Sequence, residues 1–166
     1  MSQAVDPTRR TFVSYIDKSR EYYAARGYAN PYRWAHFEDV PFSPLKEPLS
    51  QAAVTLITTA HLVPDEGETP LLHSVYSVPS DNPPARFSTD GLFWDRHATH
   101  TDDLDSYFPV HRLQELVHDG RIGRLTQRLH GVPTEYSQRL TDERDAPEIL
   151  RRCREDGAGA AILVPL

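Results

Sequence analysis

Hydrophobic and polar positions along this chain switch between helical and strand periods, and proline separates the stretches. Over residues 8–26, Phe12, Ile16 and Tyr23 recur near every 3.6 residues, with Tyr15 and Tyr22 beside them and a charged opposite face. That pattern predicts a helix, which Gly27 stops. Residues 28–50 contain Pro31, Pro41, Pro44 and Pro48, which exclude a continuous helix or a central strand. The aromatics Tyr28, Tyr32, Trp34, Phe37 and Phe42 would anchor this stretch as an ordered arm laid across the domain. The β-branched apolar run at 52–59 predicts a buried parallel strand. Residues 71–78, closed by Pro79, and residues 91–96 predict two more strands. Pro109 opens a helix whose face is Val110, Leu113, Leu116 and Val117, and Gly120 ends it. Residues 121–140 predict turns and irregular structure. Asp145 is expected to cap a helix with Pro147 in its first turn and Ile149, Leu150 and Cys153 as its apolar face, ended by Gly157 and Gly159. Residues 160–166 predict a final buried strand.

Strands alternating with helices predict an α/β fold, a three-layer Rossmann-like domain with a mostly parallel sheet. The division is residues 1–50 as helix and proline-rich arm, and 51–166 as the α/β domain, the two forming one structural unit. A length of 166 residues fits one domain. The balance of 24 acidic against 18 basic residues, net −6, lacks the basic footprint of a non-specific nucleic-acid binder. No apolar run is long enough to cross a membrane, and Met1–Asp6 has no apolar leader region. A single cysteine excludes an internal disulfide framework, a cysteine-based zinc site and a CxxC redox pair. These features predict a cytoplasmic protein.

In an open parallel sheet, ligands bind beyond the carboxyl ends of the strands. Three segments are expected at that edge: Thr58–His61, Arg96–Asp103 and Pro165–Leu166. The middle one is the densest polar cluster, with His97, His100, Asp102, Asp103 and Asp105. Imidazoles with carboxylates suit a divalent metal such as Zn, Fe or Mn, with His97, His100 and Asp102 as ligands. They equally suit a His–carboxylate acid–base pair, or a solvated loop whose acids complement the next helix. His61 either faces them from the first strand's loop or is a satisfied structural histidine. Arg33 in the arm and Thr59 are candidate substrate-binding residues, Arg33 for a carboxylate. His111, His118 and His130 read as surface or helix-face residues. Cys153 reads as a small buried hydrophobe. No dinucleotide, phosphate-loop, nucleophile-elbow or HExxH motif occurs, so no nucleotide cofactor is implied.

Four segments in order are similar to a known family: Tyr32–Phe42, Leu56–Ala60, Asp103–Gly123 and Ala146–Pro165. Within them, Tyr-Arg-Trp-Ala-His-Phe-Glu-Asp-Val-Pro-Phe and Asp-Ser-Tyr-Phe-Pro-Val-His-Arg-Leu are the specific parts. Together, from about Val13 to Leu166, they resemble the glycine/sarcosine/betaine reductase selenoprotein B family, which includes D-proline reductase subunits. The resemblance implies an α/β fold with its site at the sheet edge, and reductive carbon–nitrogen cleavage by a cysteine or selenocysteine following the strand 162–165. This sequence has no such residue after that strand, and Cys153 precedes it. Three expectations follow. The chain is a divergent enzyme using His61, His97, His100 and Asp102 on a small amino-acid-like substrate, with or without a metal. Or it is a non-catalytic subunit, partnering a paralogous thiol- or selenol-bearing chain or its own copy as a homo-oligomer. Or it is shortened at its C terminus.

Overall fold

The computed structural model describes residues 15–28, 30, 33, 35–40, 43–64, 73–89, 92 and 100–166. The chain divides into two compact units, residues 1–41 and 42–166.

In the first unit, α1 spans Tyr15–Ala25 and ends at Gly27, whose φ of +82° suits glycine at a helix terminus. Tyr23 packs edge-on against Tyr22 and Tyr28, and Arg26 lies 4.7 Å over the Tyr22 ring. Of the arm's aromatics, Tyr28 and Phe37 are exposed rather than buried as anchors, and Tyr32, Trp34 and Phe42 lie outside the described residues.

The second unit is built on β1, Ala53–Thr58, all six residues of which are buried. A strand buried this completely needs backbone partners on both edges, and the carbonyls of β1 and of Ala52 just before it find them. Those of Ala52, Val54 and Thr58 accept from Arg124, Thr126 and Val132, while that of Ala53 accepts from Gly159 on the other side. On the first edge lie β3, Arg124–Leu125, and β4, Arg128–Gly131; on the second lies β5, Ala160–Val164. All three run parallel to β1. β2, Tyr76–Pro79, is the edge strand among the described residues and pairs antiparallel with β4, and Pro79 closes it at a position that suits a residue without an N–H. The result is an α/β fold with a mixed, mostly parallel open sheet of five strands.

β3 and β4 are one strand interrupted by a bulge. From Val54 to Ile57 β1 takes three steps, whereas its partners advance five, from Leu125 to His130. Thr126 fills the irregularity, completely buried, donating its hydroxyl to the Arg128 carbonyl at 2.7 Å.

One sheet face carries Val54, Leu56, Leu129, Tyr76 and Val78. They form the core with Phe87, Tyr107 and Phe108, and with Val110 and Leu113 from α2, Val110–His118. Phe87 packs at a tilt against Phe108 at 4.7 Å and meets Tyr107 edge-on at 6.4 Å. Burying each such ring contributes about 2–3 kcal/mol. The other face holds Thr55, Ile57, Ser77, Arg128 and His130, placed there by alternation and register. A short helix α3, Gln138–Leu140, runs through a π turn at Thr141–Asp145 into α4, Ala146–Glu155.

Four expectations are corrected here. Residues 124–131 are not irregular: they supply the row between β1 and β2, which two arginines and the bulge disguised, while 121–123 and 132–137 are turns and irregular structure as expected. Asp145 makes no capping bond, because the backbone before it is already helical; its carboxylate binds the Arg144 guanidinium at 2.7 Å instead. The α4 apolar face is not buried, with Leu150 48% exposed. β5 is half-buried rather than buried, because among the described residues it pairs with β1 alone. The strand expected at 91–96 lies outside the described residues except Leu92, which is buried but in no strand.

Candidate functional site

The carboxyl ends of β1, β4 and β5 lie side by side, since the three strands are parallel and in register at Thr58, Gly131 and Val164. Side chains fasten this edge. The Thr58 hydroxyl donates to the Tyr107 carbonyl at 3.1 Å and accepts the Ala60 N–H at 3.2 Å. Tyr76 donates to the Ala60 carbonyl at 2.6 Å. Thr59 Oγ1 accepts the Leu166 N–H at 2.8 Å, tying the chain beyond β5 to the chain beyond β1. The Thr134 hydroxyl reaches the Thr59 carbonyl at 3.5 Å.

His61 follows directly. Its N–H and carbonyl pair with Ser88 at 3.0 and 2.8 Å, and only 6% of the residue is exposed. Burial first, and then His73, hold its imidazole below the ordinary 6.5. It is neutral at pH 7 and able to accept a proton. Ser88 also leads to the polar loop: the next residue, Thr89, meets Thr101 hydroxyl to hydroxyl at 3.4 Å. Thr101 lies between His100 and Asp102. The expected residues Thr59, His61, His100 and Asp102 are thus linked through one short backbone segment at the sheet edge.

Within the loop, His100 Nδ1 lies 3.5 Å from Asp102 Oδ2 and accepts the Asp102 N–H at 3.3 Å. The pair is open to solvent, 72% and 90% exposed. Asp103 and Asp105 serve the backbone. Asp103 caps the 3-10 turn Leu104–Ser106. Asp105 Oδ1 accepts the His111 N–H at 3.0 Å, and Oδ2 lies 2.9 Å from His111 Nδ1. His97 lies outside the described residues. A structural zinc takes four ligands and a catalytic one three from protein. Among the described residues no group of three or more metal-ligating side chains is assembled, and His100 with Asp102 gives two donors. Arg33 belongs to the first unit and is exposed there. Cys153 on α4 is half-buried, and burial, then Asp156, push its thiol up, so it is not a thiolate at neutral pH.

His130, expected at the surface, is completely buried. Nδ1 is 2.9 Å from Ser77 Oγ, and Nε2 is 3.3 Å from Asp156 Oδ2. Asp156 follows α4 and is held by Arg128 Nε at 3.0 and 3.1 Å. Arg152 of α4 donates to Ser77 Oγ at 2.8 Å and to Glu148 at 2.7 Å. Sequence reasoning missed this network because its members come from β2, β4 and the end of α4. Its one local signal is a histidine in alternation with Leu129, hidden by the bulge that breaks the strand pattern before it.

No family model, curated protein or solved structure matches the chain.

Proposed function

We propose that the chain is a short relative of the reductase selenoprotein B family that binds a small polar, amino-acid-like substrate at the carboxyl edge of a three-layer Rossmann-like domain. α2 residues in the core on one sheet face, and Arg152 of α4 reaching Ser77 on the other, support the layered frame. The observation that carries the functional reading is the connection of buried, neutral His61 through Ser88–Thr89 to the His100–Asp102 loop. His61 accepts a proton from a substrate ammonium or water. Asp102 orients His100, whose exposed ring is free to donate or accept at the mouth of the site. A divalent metal enters this reading only if His97 completes the two donors, and no step is assigned to it.

The test is calorimetric titration of the purified chain with glycine, N-methylglycine, betaine and proline, alongside elemental analysis. One of these ligands should bind. His100→Ala should weaken it at least about tenfold, the scale of a lost hydrogen bond to a charged group, while the melting temperature stays within a few degrees. Binding by none of them, or unchanged binding in His100→Ala and His61→Gln, overturns the reading. A metal found in the wild type and lost in His97→Ala/His100→Ala would add the metal to it.

A specific observation favours a second reading, that of a subunit in a larger complex. Leu163, in register with buried Ile57, is 67% exposed on β5. An apolar strand without a charged or proline residue along its length lacks the usual protection of a sheet edge. In that reading Leu163→Lys leaves the fold intact and abolishes association, as read by sedimentation of the chain with and without its co-purifying partner.

A further inference from the structure

The polar face of the sheet carries a second constellation, independent of the carboxyl edge. Ser77 and His130 are cross-strand partners, so the β2–β4 register itself brings the hydroxyl against the ring. Arg152 Nη1 can only donate, so Ser77 Oγ accepts from it at 2.8 Å. The single hydroxyl hydrogen is then directed at His130 Nδ1, 2.9 Å away. Nδ1 accepts, and the ring hydrogen sits on Nε2, the nitrogen 3.3 Å from Asp156 Oδ2. The opposite tautomer would aim a nitrogen lone pair at a carboxylate. The Asp156 side chain is 8% exposed and ion-paired to Arg128 at 2.9 Å, so its position is fixed. Its contact with Nε2 is out of line, and Nε2 is the buried side-chain polar atom, among the described residues, that has no hydrogen-bond partner. A fully buried, unpartnered imidazole nitrogen calls for an explanation, and catalytic groups are one class that supplies it.

We propose that Ser77, His130 and Asp156 form a nucleophile–base–orienter relay that accepts acyl groups from small esters, with Arg152 as the cation facing the developing oxyanion. The base is sealed from water, while Ser77 is half-buried on the outermost described row of the sheet and the Arg152 side chain keeps 21% of its surface. Burial is the main cause that holds His130 below 6.5, with Arg128 and Arg152 adding to it and Asp156 opposing, so the ring is an unprotonated base at pH 7. Ser77 Oγ attacks the carbonyl carbon and its proton passes to Nδ1. The imidazolium formed draws Nε2–H onto Asp156, completing the bond that is loose at rest. The ester C–O bond breaks, and the leaving alkoxide takes the proton from Nδ1. The acyl group then stays on Ser77 Oγ, because the base is sealed from the water that would hydrolyse it.

The test uses the full chain with p-nitrophenyl acetate and, separately, a fluorophosphonate probe, read by p-nitrophenol release and by intact mass. One equivalent of acyl or phosphonyl group should be incorporated and map to Ser77. Ser77→Ala should abolish it while the melting temperature stays within a few degrees. Asp156→Asn, which preserves shape, should slow labelling at least about tenfold, and His130→Gln at least about a hundredfold. The rate should rise with a single deprotonation whose midpoint lies below 6.5. No incorporation, incorporation that survives Ser77→Ala, or an unchanged rate in Asp156→Asn overturns the proposal and leaves the network as a strut between α4 and the sheet.

Discussion

At Gly131 the Tyr76 ring occupies the place of a side chain. A Cβ there would lie 2.0 Å from Tyr76 Cζ and 2.1 Å from Cε1. The ring cannot yield. It is 5% exposed, close to Phe87 at 6.3 Å, and its hydroxyl is bound to the Ala60 carbonyl. Burial pushes the Tyr76 phenol well above its ordinary value, so it remains a donor throughout the physiological range. Gly131→Ala therefore forces the ring off the carbonyl beside His61, at a cost of about 2–3 kcal/mol, the upper range for overpacking. Chemical denaturation should show this loss. Tyr76→Leu in the same chain should recover part of it, so that the double variant is more stable than the two single losses added together. Recovery of nothing would mean that the strain lies in the backbone and not in the ring.

Among the elements, α2 shows how much a local signal can carry. Its start at Pro109, its buried Val110 and Leu113 and its stop at Gly120, φ +67°, all follow from spacing and from residues that favour helix ends. Its cap does not come from the N-cap residue, which is proline. Asp105, six positions before His111, folds back over the 3-10 turn and takes the free N–H groups of His111 and Arg112 at 3.0 and 3.4 Å. Asp105→Ala should cost about 1–2 kcal/mol, the usual range for a lost cap. Asp105→Asn, which keeps an acceptor, should retain more than half of the stability, as read by thermal melts. The acids before α2, Asp103 and Asp105, were legible in the sequence for the same reason as α2, since polar residues clustered just before a helix mark its entrance. β4 was not legible. A two-residue bulge breaks its alternation, and Arg128 and His130 sit where a buried strand would carry apolar side chains, their polarity answered only by Asp156 and Ser77 from distant parts of the chain. The carboxyl edge could be anticipated from strand order, whereas the Ser77–His130–Asp156 juxtaposition exists only after β2 pairs with β4.

Across the described residues, two buried imidazoles, His61 and His130, are expected to set the first response to acid. His61 and His130 are both held below 6.5, in each case chiefly by burial, while in the unfolded chain they titrate near that value. Between the folded and unfolded values the unfolded state binds more protons, so stability is complete above about pH 6.5 and falls as the pH drops below it. Glu148 acts in a lower window. Arg151 and Arg152 hold its carboxyl down at about 2, so its contribution is present above its ordinary 4.5 and disappears only on approach to 2. Its pairs with Arg151 and Arg152 remain open to solvent screening, with 32% of the Glu148 side chain exposed, and contribute little. Urea unfolding measured from pH 8 to pH 4 should therefore decline first below 6.5 and not below 4.5. Gln at position 130 keeps a neutral polar group beside Ser77, so His130→Gln should flatten that first decline, and His61→Gln should flatten it independently. Because the two sites share no partner among the bonds described above, the double variant should remove the sum of the two effects. A decline that persists unchanged below 6.5 in the double variant would place the acid sensitivity in the carboxylates instead.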